Sequence, residues 1–251
     1  MNIFYLANNE NGWRILKYLK ENNEKIIGLA IHPDYKAKFK DEIISVSGLP
    51  EDKIFDGSSI CGKEVLEKIR NLKADIAVSI NFGYILTSEF IDFFPYGCIN
   101  LHTGYLPYNR GAYPNVWAIV EGTPAGVTLH YIDAGIDTGQ IISQKEVVVN
   151  ITDTGKILYE KLEEEAHRLF IESWPLVKDG KATPQKQANV GTFHKVKDTD
   201  KIDKIEPDKF YKAIDLINII RARTFPPYKG AYLEYKDEKI YLELKLYKED
   251  S

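Results

Sequence analysis

The first half of the chain alternates short apolar runs with segments of helical spacing, and this alternation most constrains the fold. Apolar spacing typical of helices occurs at 12–21 and 62–72. Strands that alternate with helices form βαβ units with right-handed crossovers and a mainly parallel sheet. The predicted strands carry apolar residues on both faces, as expected when helices cover both sides of a sheet. The predicted strands are 2–7, 25–31, 53–56, 74–80 and 97–103.

The pattern changes after residue 124. Strands are predicted at 125–132 and 139–149, and the connection between them is too short for a crossover helix. This part is therefore expected to be antiparallel or mixed, added at one side of the sheet. A helix is predicted over 153–177, with Asp153 as its N-cap.

The tail of the chain has a different character. Residues 195–207 are polar and linker-like, and a helix over 207–223 and a hairpin over 229–247 follow. The hairpin is expected to turn at Lys236 and Asp237. The predicted fold class is α/β: a Rossmann-like, mainly parallel sheet flanked by helices, with a small C-terminal helix plus β-hairpin. We expect a catalytic domain over 1–190 and an extension over 191–251.

Composition and charge narrow the range of partners. The chain has 251 residues, 44% of them hydrophobic and 28% charged, as in ordinary globular proteins. A formal net charge of −4 gives no reason to expect nucleic acid or an anionic membrane as partner. No apolar run approaches membrane-spanning length, and Cys61 and Cys98 form neither a disulfide framework nor a metal-ligand spacing. We expect a soluble, cytoplasmic protein without a metal.

Asn100 and His102 stand out at the end of an apolar strand. Residues two apart on a strand point to the same face, and ligands bind beyond the carboxyl ends of parallel strands. The pair fits either a catalytic role or a set of core polar groups that hold the next loop. A metal site of His102, His130 and Asp137 is a weaker alternative, without ligand spacing to support it. Cys98 lies about 13 Å from His102 along the strand, too far for a nucleophilic pair.

A second polar group occupies the loop between the two later strands. Asp133 and Asp137 alternate there with Gly135 and Gly139. Asp137-Thr138-Gly139 matches the aspartic-protease signature, but the second carboxylate that such enzymes need is missing. Either the carboxylates cap a turn, or Asp137 meets His102 and orients its imidazole.

These motifs in this order resemble the formyltransferase family that uses 10-formyltetrahydrofolate. The resemblance covers most of residues 1–180. The residues that carry it, with the segment 79–86 before them, are Asn100, His102, Tyr105, Leu106, Pro107, Gly111, Gly126, Thr128, His130, Asp133, Gly135, Asp137, Thr138 and Gly139.

The resemblance implies an acyl transfer from 10-formyltetrahydrofolate to an amine. Asn100 would donate to the oxyanion, His102 would move the proton, and Asp137 would hold the tautomer of His102. It also implies that the segments around 84–86 and 132–136 bind the pteridine. The expected folate-binding residues are Phe82, Tyr84, Ile85, Leu86, Ile132, Asp133, Gly135 and Ile136.

The acceptor amine separates the branches of this family. Residues 191–251 hold 13 Lys and Arg against 12 Asp and Glu, so the tail is nearly neutral and unlike a tRNA-binding surface. The chain is most similar to sugar N-formyltransferases, which act on nucleotide-linked amino sugars, commonly 4-amino-4,6-dideoxyhexoses for surface polysaccharides such as lipopolysaccharide O-antigen. The first βα turn can receive a pyrophosphate on its amides, and it lacks a dinucleotide fingerprint. The expected substrate-binding residues are Asn8, Asn9, Gly12, Trp13, Tyr105, Tyr108, Asn109, Arg110 and Tyr113.

Other functions remain open at this level. Methionyl-tRNA or glycinamide ribonucleotide formyltransferase, a 10-formyltetrahydrofolate hydrolase and a non-catalytic binder are the alternatives. The second strand of the predicted hairpin places Ile240, Leu242, Leu244 and Leu246 on one face. That face suggests a homodimer interface, and the segment 219–234 is expected to close one side of the acceptor pocket.

Overall fold

The fold was described from a computed structural model, which describes residues 1–249. Short 3₁₀ helices occur at Glu51–Lys53, Gly57–Ser59 and Val196–Thr199. The strands and α-helices follow in chain order: β1 (Asn2–Ala7), α1 (Asn9–Glu21), β2 (Lys25–Ile31), α2 (Lys40–Ser47), β3 (Ile54–Asp56), α3 (Lys63–Leu72), β4 (Ile76–Ile80), α4 (Ser88–Ile91), β5 (Cys98–His102), β6 (Arg110–Gly111), α5 (Pro114–Glu121), β7 (Gly126–Tyr131), β8 (Ile141–Glu146), α6 (Gly155–Lys178), β9 (Phe193–His194), α7 (Asp200–Asp203), α8 (Ala213–Arg223), β10 (Tyr232–Tyr235) and β11 (Glu238–Tyr241).

Seven strands form one sheet in the order β3-β2-β1-β4-β5-β7-β8. The first five strands pair in parallel, and β7 joins β5 in the antiparallel direction. The predicted Rossmann-like fold and the antiparallel addition after residue 124 are confirmed. The chain runs outward from β1 through β2 to β3 and then returns to β4 on the other side of β1. Such a reversal opens a crevice at the carboxyl ends of the strands.

The central strands are buried because helices cover the sheet. Every residue of β1 from Ile3 to Ala7 has no exposed surface. Phe4 lies in a cluster of aromatic rings with Phe55, Phe90 and Phe94. Large apolar and aromatic side chains dominate core energetics through the area that they remove from water. This cluster therefore forms part of the buried core against which β1 packs.

The chain divides into two compact units. The first unit contains Met1–His102, Thr128–Gln144 and Ala166–Gln187, and it holds most of the seven-stranded sheet. The second unit contains Thr103–Val127, Lys145–Glu165 and the residues from Ala188 onward.

The second unit is organised around helix α8. Arg221 is buried, and its Nη1 donates to the carbonyls of Asn150 (3.1 Å) and Asp153 (2.8 Å). Asn115 of α5 donates to the carbonyl of Gly155 at 2.9 Å. Strands β10 and β11 pair antiparallel around Lys236 and Asp237, both with positive φ, which confirms the predicted turn.

Several predicted boundaries differ from the structure. The helix predicted from 207 begins at Ala213, and Phe210 is 99% exposed, so the preceding residues have no packing to hold a helical turn. The linker-like segment contains α7 and a 3₁₀ helix. Thr154, rather than Asp153, caps α6 by accepting from the Ile157 amide at 3.3 Å. Asp153 instead accepts from Lys161 Nζ at 2.6 Å.

Glu24 connects three parts of the first unit. Its side chain is 2% exposed, and Oε1 accepts from Lys178 Nζ at 2.6 Å and from Trp174 Nε1 at 3.2 Å. Oε2 lies 4.0 Å from the amino group of Met1. The carboxylate therefore links the start of β2 to the end of α6 and to the amino terminus.

We expect Glu24→Ala to lower the free energy of unfolding by about 3 kcal/mol, because it leaves the buried Trp174 indole donor without its acceptor and Lys178 without its charge partner. Glu24→Gln is the matched control, since it keeps an acceptor for the indole, and its loss should be about 1 kcal/mol. Urea unfolding followed by tryptophan fluorescence measures both. Equal midpoints for the alanine variant and the parent protein would contradict this role.

Candidate active site

Strands β4, β5 and β7 bring polar side chains together inside an otherwise apolar sheet. In the pairing register, Asn100 of β5 lies between Ser79 of β4 and His130 of β7. His102 lies opposite Thr128 of β7 in the same ladder. The Asn100 and His102 side chains share a face because they are two residues apart on one strand. The sheet therefore gathers the first two candidate catalytic residues and a second histidine.

Hydrogen bonds fix the orientation of the Asn100 amide. The Ser79 hydroxyl donates to Oδ1 at 3.0 Å, and Nδ2 lies 3.1 Å from His130 Nε2. His130 Nδ1 lies 2.8 Å from the carbonyl of Tyr131, which can only accept, so this nitrogen carries the proton. In this tautomer Nε2 can accept from the Asn100 amide. One N–H of the Asn100 amide is used in this way, and the other is left for a further acceptor.

Asp137 lies close to both imidazoles. Its Oδ2 is 3.7 Å from His102 Nδ1, and its Oδ1 is 3.5 Å from His130 Nε2. The side chains are mostly buried, at 9% exposed for His102 and 15% for Asp137. Both distances exceed those of ordinary hydrogen bonds, as is common for catalytic groups before substrate binds. The carboxylate therefore acts on His102 through its charge.

The loop that carries Asp137 is held by its own side chains. Asp133 Oδ1 accepts from the Gly135 amide at 3.0 Å and from the Thr138 hydroxyl at 2.5 Å. A Cβ on Gly135 would lie 2.1 Å from Thr138 Oγ1, so a larger residue would disrupt this turn. Gln187 Nε2 donates to the carbonyls of Asp137 and Gly139, both at 2.8 Å. The Asp133 side chain therefore caps the turn, as one of the two alternatives predicted. Asp137 is the carboxylate that faces the histidines.

The two predicted folate-binding segments pack against one hydrophobic cluster. Phe82 and Leu86 belong to its buried members, and Tyr84 and Ile132 pack against it with part of their surface exposed. Ile85 is 74% exposed and Ile136 is 42% exposed, and Gly135 lies in the same exposed loop. The structure therefore brings the 82–86 segment and the start of the 132–136 loop together.

The first βα turn uses its polar groups within the protein. The Asn8 amide donates to the carbonyl of Ile80 at 3.2 Å, and the Asn9 amide donates to Lys38 at 3.1 Å. Gly12 lies against Ala7, and Trp13 stacks on Phe39 with ring centroids 6.0 Å apart. The Asn8 and Asn9 amides therefore have carbonyl acceptors within the protein, and the pyrophosphate contact expected at this turn stays a prediction.

Asn109 has a structural role as well. It is 1% exposed, and its Nδ2 donates to Thr123 Oγ1 at 3.0 Å and to the carbonyl of Pro124 at 3.3 Å. Its backbone amide donates to Thr192 Oγ1 at 2.8 Å. Its side chain is buried and its amide hydrogens are directed at protein oxygens, and the predicted substrate contact of Asn109 stays a prediction.

The other residues predicted to bind substrate remain accessible to different degrees. Tyr105 is partly buried beside Gly126, and Tyr108 is likewise partly buried. Arg110 pairs with Phe193 through the short strands β6 and β9. Tyr113 is 42% exposed, and the guanidinium of Arg223 lies 6.0 Å from its ring centroid. These four side chains all belong to the second unit.

The structure also bears on two other candidate reactive groups, the Cys98 thiol and a metal site. Cys98 is fully buried, and burial raises the pKa of its thiol far above the ordinary value, so it is a packing residue and not a nucleophile. Within residues 1–249, no group of three or more His, Cys, Asp or Glu side chains has the arrangement of a metal site. In the same residues, no helix has the length and apolarity to cross a bilayer.

Sequence reasoning missed the positioning residues of the site. Ser79, His130 and Gln187 orient Asn100 and the Asp137 loop, yet from the sequence His130 has only a place in the family motif and a weak metal-ligand role. The signal for His130 was available, since an antiparallel β7 beside β5 places polar residues opposite one another. Gln187 follows α6 and has no motif around it, so only the tertiary fold reveals its role.

Comparisons with known proteins agree on one family. A family described as formyl transferase matches residues 1–174, and an N-formyltransferase dimerization C-terminal domain matches residues 198–248. A methionyl-tRNA formyltransferase from Francisella tularensis subsp. novicida (strain U112) is 31% identical over 249 residues, which cover 96% of this chain and 77% of the relative.

Two solved structures are similar along most of their length. A 4-N formyltransferase from Francisella tularensis is 26% identical, with a TM-score of 0.80 and 98% of each chain covered. A formyltransferase from Anoxybacillus kamchatkensis, in complex with UDP-4,6-dideoxy-4-formamido-L-AltNAc and tetrahydrofolate, is 32% identical. That superposition has a TM-score of 0.59 and covers 80% of this chain and 89% of the other.

Proposed function

The chain belongs to the formyl transferase family, and from this premise we propose that it moves the formyl group of 10-formyltetrahydrofolate to the amine of a nucleotide-linked amino sugar. The observation that carries the formyl transfer is the grouping of Asn100, His102 and Asp137 at the end of β5. An amide donor, an imidazole and a carboxylate are the groups that an acyl transfer to an amine requires.

Each of the three side chains takes one task in the proposed reaction. The amine of the acceptor attacks the formyl carbon, a C–N bond forms, and the carbonyl oxygen becomes an oxyanion. The free N–H of Asn100 donates to that oxyanion, in an orientation that Ser79 and His130 hold in advance. An amide fixed before the reaction needs no reorganisation as charge develops, which is the main advantage of such a donor.

His102 moves the proton between the two nitrogens. Its Nε2 removes a proton from the attacking amine and returns it to N10 of tetrahydrofolate as the old C–N bond breaks. The negative charge of Asp137, 3.7 Å from Nδ1, stabilises the imidazolium formed between the two steps. The products are a formamide and tetrahydrofolate, and no other reactant is needed.

The folate is proposed to lie along the 82–86 and 132–136 segments. This assignment is supported by the shared cluster of Phe82, Leu86 and Ile132, which offers an apolar surface for the pteridine. It is also supported by the tetrahydrofolate complex of the Anoxybacillus relative. Phe82, Tyr84, Ile85, Leu86, Ile132, Gly135 and Ile136 remain the proposed contacts, with Asp133 contributing through its backbone.

The acceptor is proposed to be a sugar nucleotide, with a 4-amino-4,6-dideoxyhexose as the first candidate. The likeness to the Francisella 4-N formyltransferase, over 98% of both chains, and the UDP-linked formamido sugar in the Anoxybacillus complex support it. Tyr105, Tyr108, Arg110 and Tyr113 are the proposed contacts in the second unit, and Gly12 and Trp13 stay as candidates in the first.

Methionyl-tRNA is the second candidate acceptor, favoured by the 31% identity to a methionyl-tRNA formyltransferase. Charge argues against it. The chain carries a net charge of −4, and residues 191–251 have 13 basic against 12 acidic side chains. Binding to phosphate backbones depends on clustered Lys and Arg, which this tail does not supply.

We place the proposed enzyme in the cytoplasm, in surface-polysaccharide synthesis such as that of lipopolysaccharide O-antigen, and as a homodimer. The match of residues 198–248 to a dimerization domain supports the dimer. Ile240 of β11 is 42% exposed, and it presents apolar surface for a second copy. The extension over 191–251 remains the proposed dimerisation and acceptor-binding element beside a catalytic domain over 1–190.

We expect Asn100→Ala to lower kcat by about 10²- to 10³-fold, because it removes a positioned oxyanion donor. His102→Ala should lower kcat by about 10²-fold or more, because the proton loses its carrier. Single-turnover assays give the rate, and calorimetry with 5-formyltetrahydrofolate gives folate affinity, which should change little in either variant. A His102→Ala enzyme as fast as the parent would remove His102 from the mechanism.

A panel of acceptors tests the substrate class. Purified protein and 10-formyltetrahydrofolate are mixed with dTDP-, GDP- and UDP-linked amino sugars, with methionyl-tRNA and with glycinamide ribonucleotide. We expect one sugar nucleotide to gain the mass of a formyl group less a hydrogen, about 28 Da by mass spectrometry, because a 4-N formyltransferase and a formyltransferase that holds a UDP-linked formamido sugar are both similar to this chain. Formylation of methionyl-tRNA alone would support the second candidate, and formate release without a formylated product would indicate a hydrolase.

Ile240→Asp should convert the proposed dimer into monomer, because a carboxylate in an apolar interface is desolvated without a partner. Light scattering after size exclusion should give twice the 28.7 kDa chain mass for the parent protein. Val148→Asp is the matched control, since Val148 is 74% exposed outside the hairpin, and it should stay dimeric. A parent protein that is monomeric at micromolar concentration would contradict the proposed dimer.

A further inference from the structure

The loop between β5 and α5 contains three residues in a backbone conformation that is unfavourable by itself. Asn109, Gly111 and Tyr113 have positive φ, at 58°, 85° and 56°. Two of them are not glycine, and the left-handed conformation costs free energy for a residue with a Cβ. Such a conformation persists only where the surrounding structure fixes it. Arg110 and Tyr113, two of the proposed acceptor contacts, lie in this part of the loop.

Residues 191–194, far along the chain, hold the main chain of this loop. The Arg110 amide donates to the carbonyl of Thr192 at 3.0 Å, and the Ala112 amide donates to the carbonyl of His194 at 2.9 Å. These bonds accompany the parallel pairing of the short strands β6 and β9. The loop is therefore fixed at two alternate positions by one short segment. We call residues 191–194 the loop-support segment.

The Thr192 side chain holds one of the left-handed residues directly. Its Oγ1 accepts from the backbone amide of Asn109 at 2.8 Å and donates to Asn109 Oδ1 at 3.4 Å. The segment also runs close to the loop, since a Cβ on Gly191 would lie 2.1 Å from the carbonyl oxygen of Pro107. The Thr192 hydroxyl therefore fixes Asn109 through both its main chain and its side chain.

His194 attaches the loop-support segment to α5, the helix that follows the loop. Its ring stacks on that of Trp117, with centroids 3.9 Å apart and planes within 8° of parallel. Its Nε2 lies 3.1 Å from Glu121 Oε1, without hydrogen-bond geometry. Stacked aromatic rings stabilise a contact beyond the area that they bury. The segment therefore contacts both the loop and the helix that ends it.

We propose that the loop-support segment holds residues 109–113 in the conformation that binds the acceptor, with Thr192 and His194 as positioning residues. The inference rests on the proposed function, which assigns Arg110 and Tyr113 to the acceptor. The segment lies between the two family matches, which end at residue 174 and begin again at residue 198. A loop that is fixed in advance loses less conformational freedom when its ligand binds, so the segment acts on acceptor affinity.

Thr192→Val tests the inference by a split between the two substrates. The acceptors are dTDP-, GDP- and UDP-linked 4-amino-4,6-dideoxyglucose, and KM is measured with those that the parent protein formylates. We expect the variant to raise the acceptor KM about fivefold, because the Asn109 amide loses its acceptor and the loop is less often in the binding conformation. The kcat, and the affinity for 5-formyltetrahydrofolate by calorimetry, should stay those of the parent. Thr192→Ser keeps the hydroxyl and should restore the acceptor KM.

Trypsin cleavage after Arg110 reports the loop conformation without any acceptor. A protease needs a locally opened chain, so the loop-support segment should protect this bond. Mass spectrometry follows the appearance of the fragments 1–110 and 111–251. We expect faster cleavage in Thr192→Val and in His194→Ala than in the parent. His194→Phe keeps a ring against Trp117 and should be cleaved more slowly than His194→Ala.

Thr183→Val is the matched control, since Thr183 is exposed outside the loop-support segment and the substitution is the same. It should match the parent in every measurement. An unchanged acceptor KM in Thr192→Val, or an equal loss of folate and acceptor affinity, would overturn the inference while leaving the proposed function intact. A Thr192→Ser enzyme as impaired as Thr192→Val would also overturn it. A parent protein that formylates none of the sugar nucleotides would overturn the proposed acceptor class, and the inference with it.

Discussion

The antiparallel addition of β7 beside β5 is the constraint on which the candidate site depends. A parallel sheet by itself would bring Asn100 next to Ser79, but it would supply neither His130 nor the loop of Asp137. Because β7 runs back along β5, His130 lies opposite Asn100. The loop that follows β7 then brings Asp137 Oδ2 to 3.7 Å from His102 Nδ1. The antiparallel direction of β7 thus brings the Asn100 amide, the His130 imidazole and the Asp137 carboxylate together.

A series of hydrogen bonds that starts at the Tyr131 carbonyl fixes the orientation of the Asn100 side chain. The Tyr131 carbonyl fixes the proton on His130 Nδ1, which makes Nε2 an acceptor and turns the amide nitrogen of Asn100 toward it. Ser79 completes the arrangement on the other side of the amide. A buried polar network of this kind is stable only when its members are satisfied together. The unsatisfied N–H of Asn100 is thereby directed by the fold before any substrate binds.

Much of this arrangement was predictable from the sequence, and the reason is local periodicity. The alternation of strands and helices gave the sheet, and the spacing of Asn100 and His102 gave a shared face at its carboxyl edge. The turn at Lys236 and Asp237 was also predicted from the sequence, and the positive φ of both residues is typical of a two-residue hairpin turn.

The role of Gln187 could not be predicted from the sequence, since its contacts with the Asp137 loop join residues about fifty positions apart. The start of α8 was also missed, because apolar residues such as Phe210 predict a helix only if something packs against them.

The asparagines show why a polar residue beside a crevice does not by itself identify a ligand contact. From the sequence, Asn100 is assigned to catalysis, and Asn8, Asn9 and Asn109 are expected to contact the substrate. Asn109 directs its amide hydrogens at protein oxygens, and Asn8 directs its side chain at the loop that carries Lys36. Asn100 differs because its partners use one of two amide hydrogens and leave the second. A structural asparagine therefore differs from the candidate catalytic one in the number of side-chain N–H groups that protein acceptors leave unused. Only the three-dimensional structure determines that number.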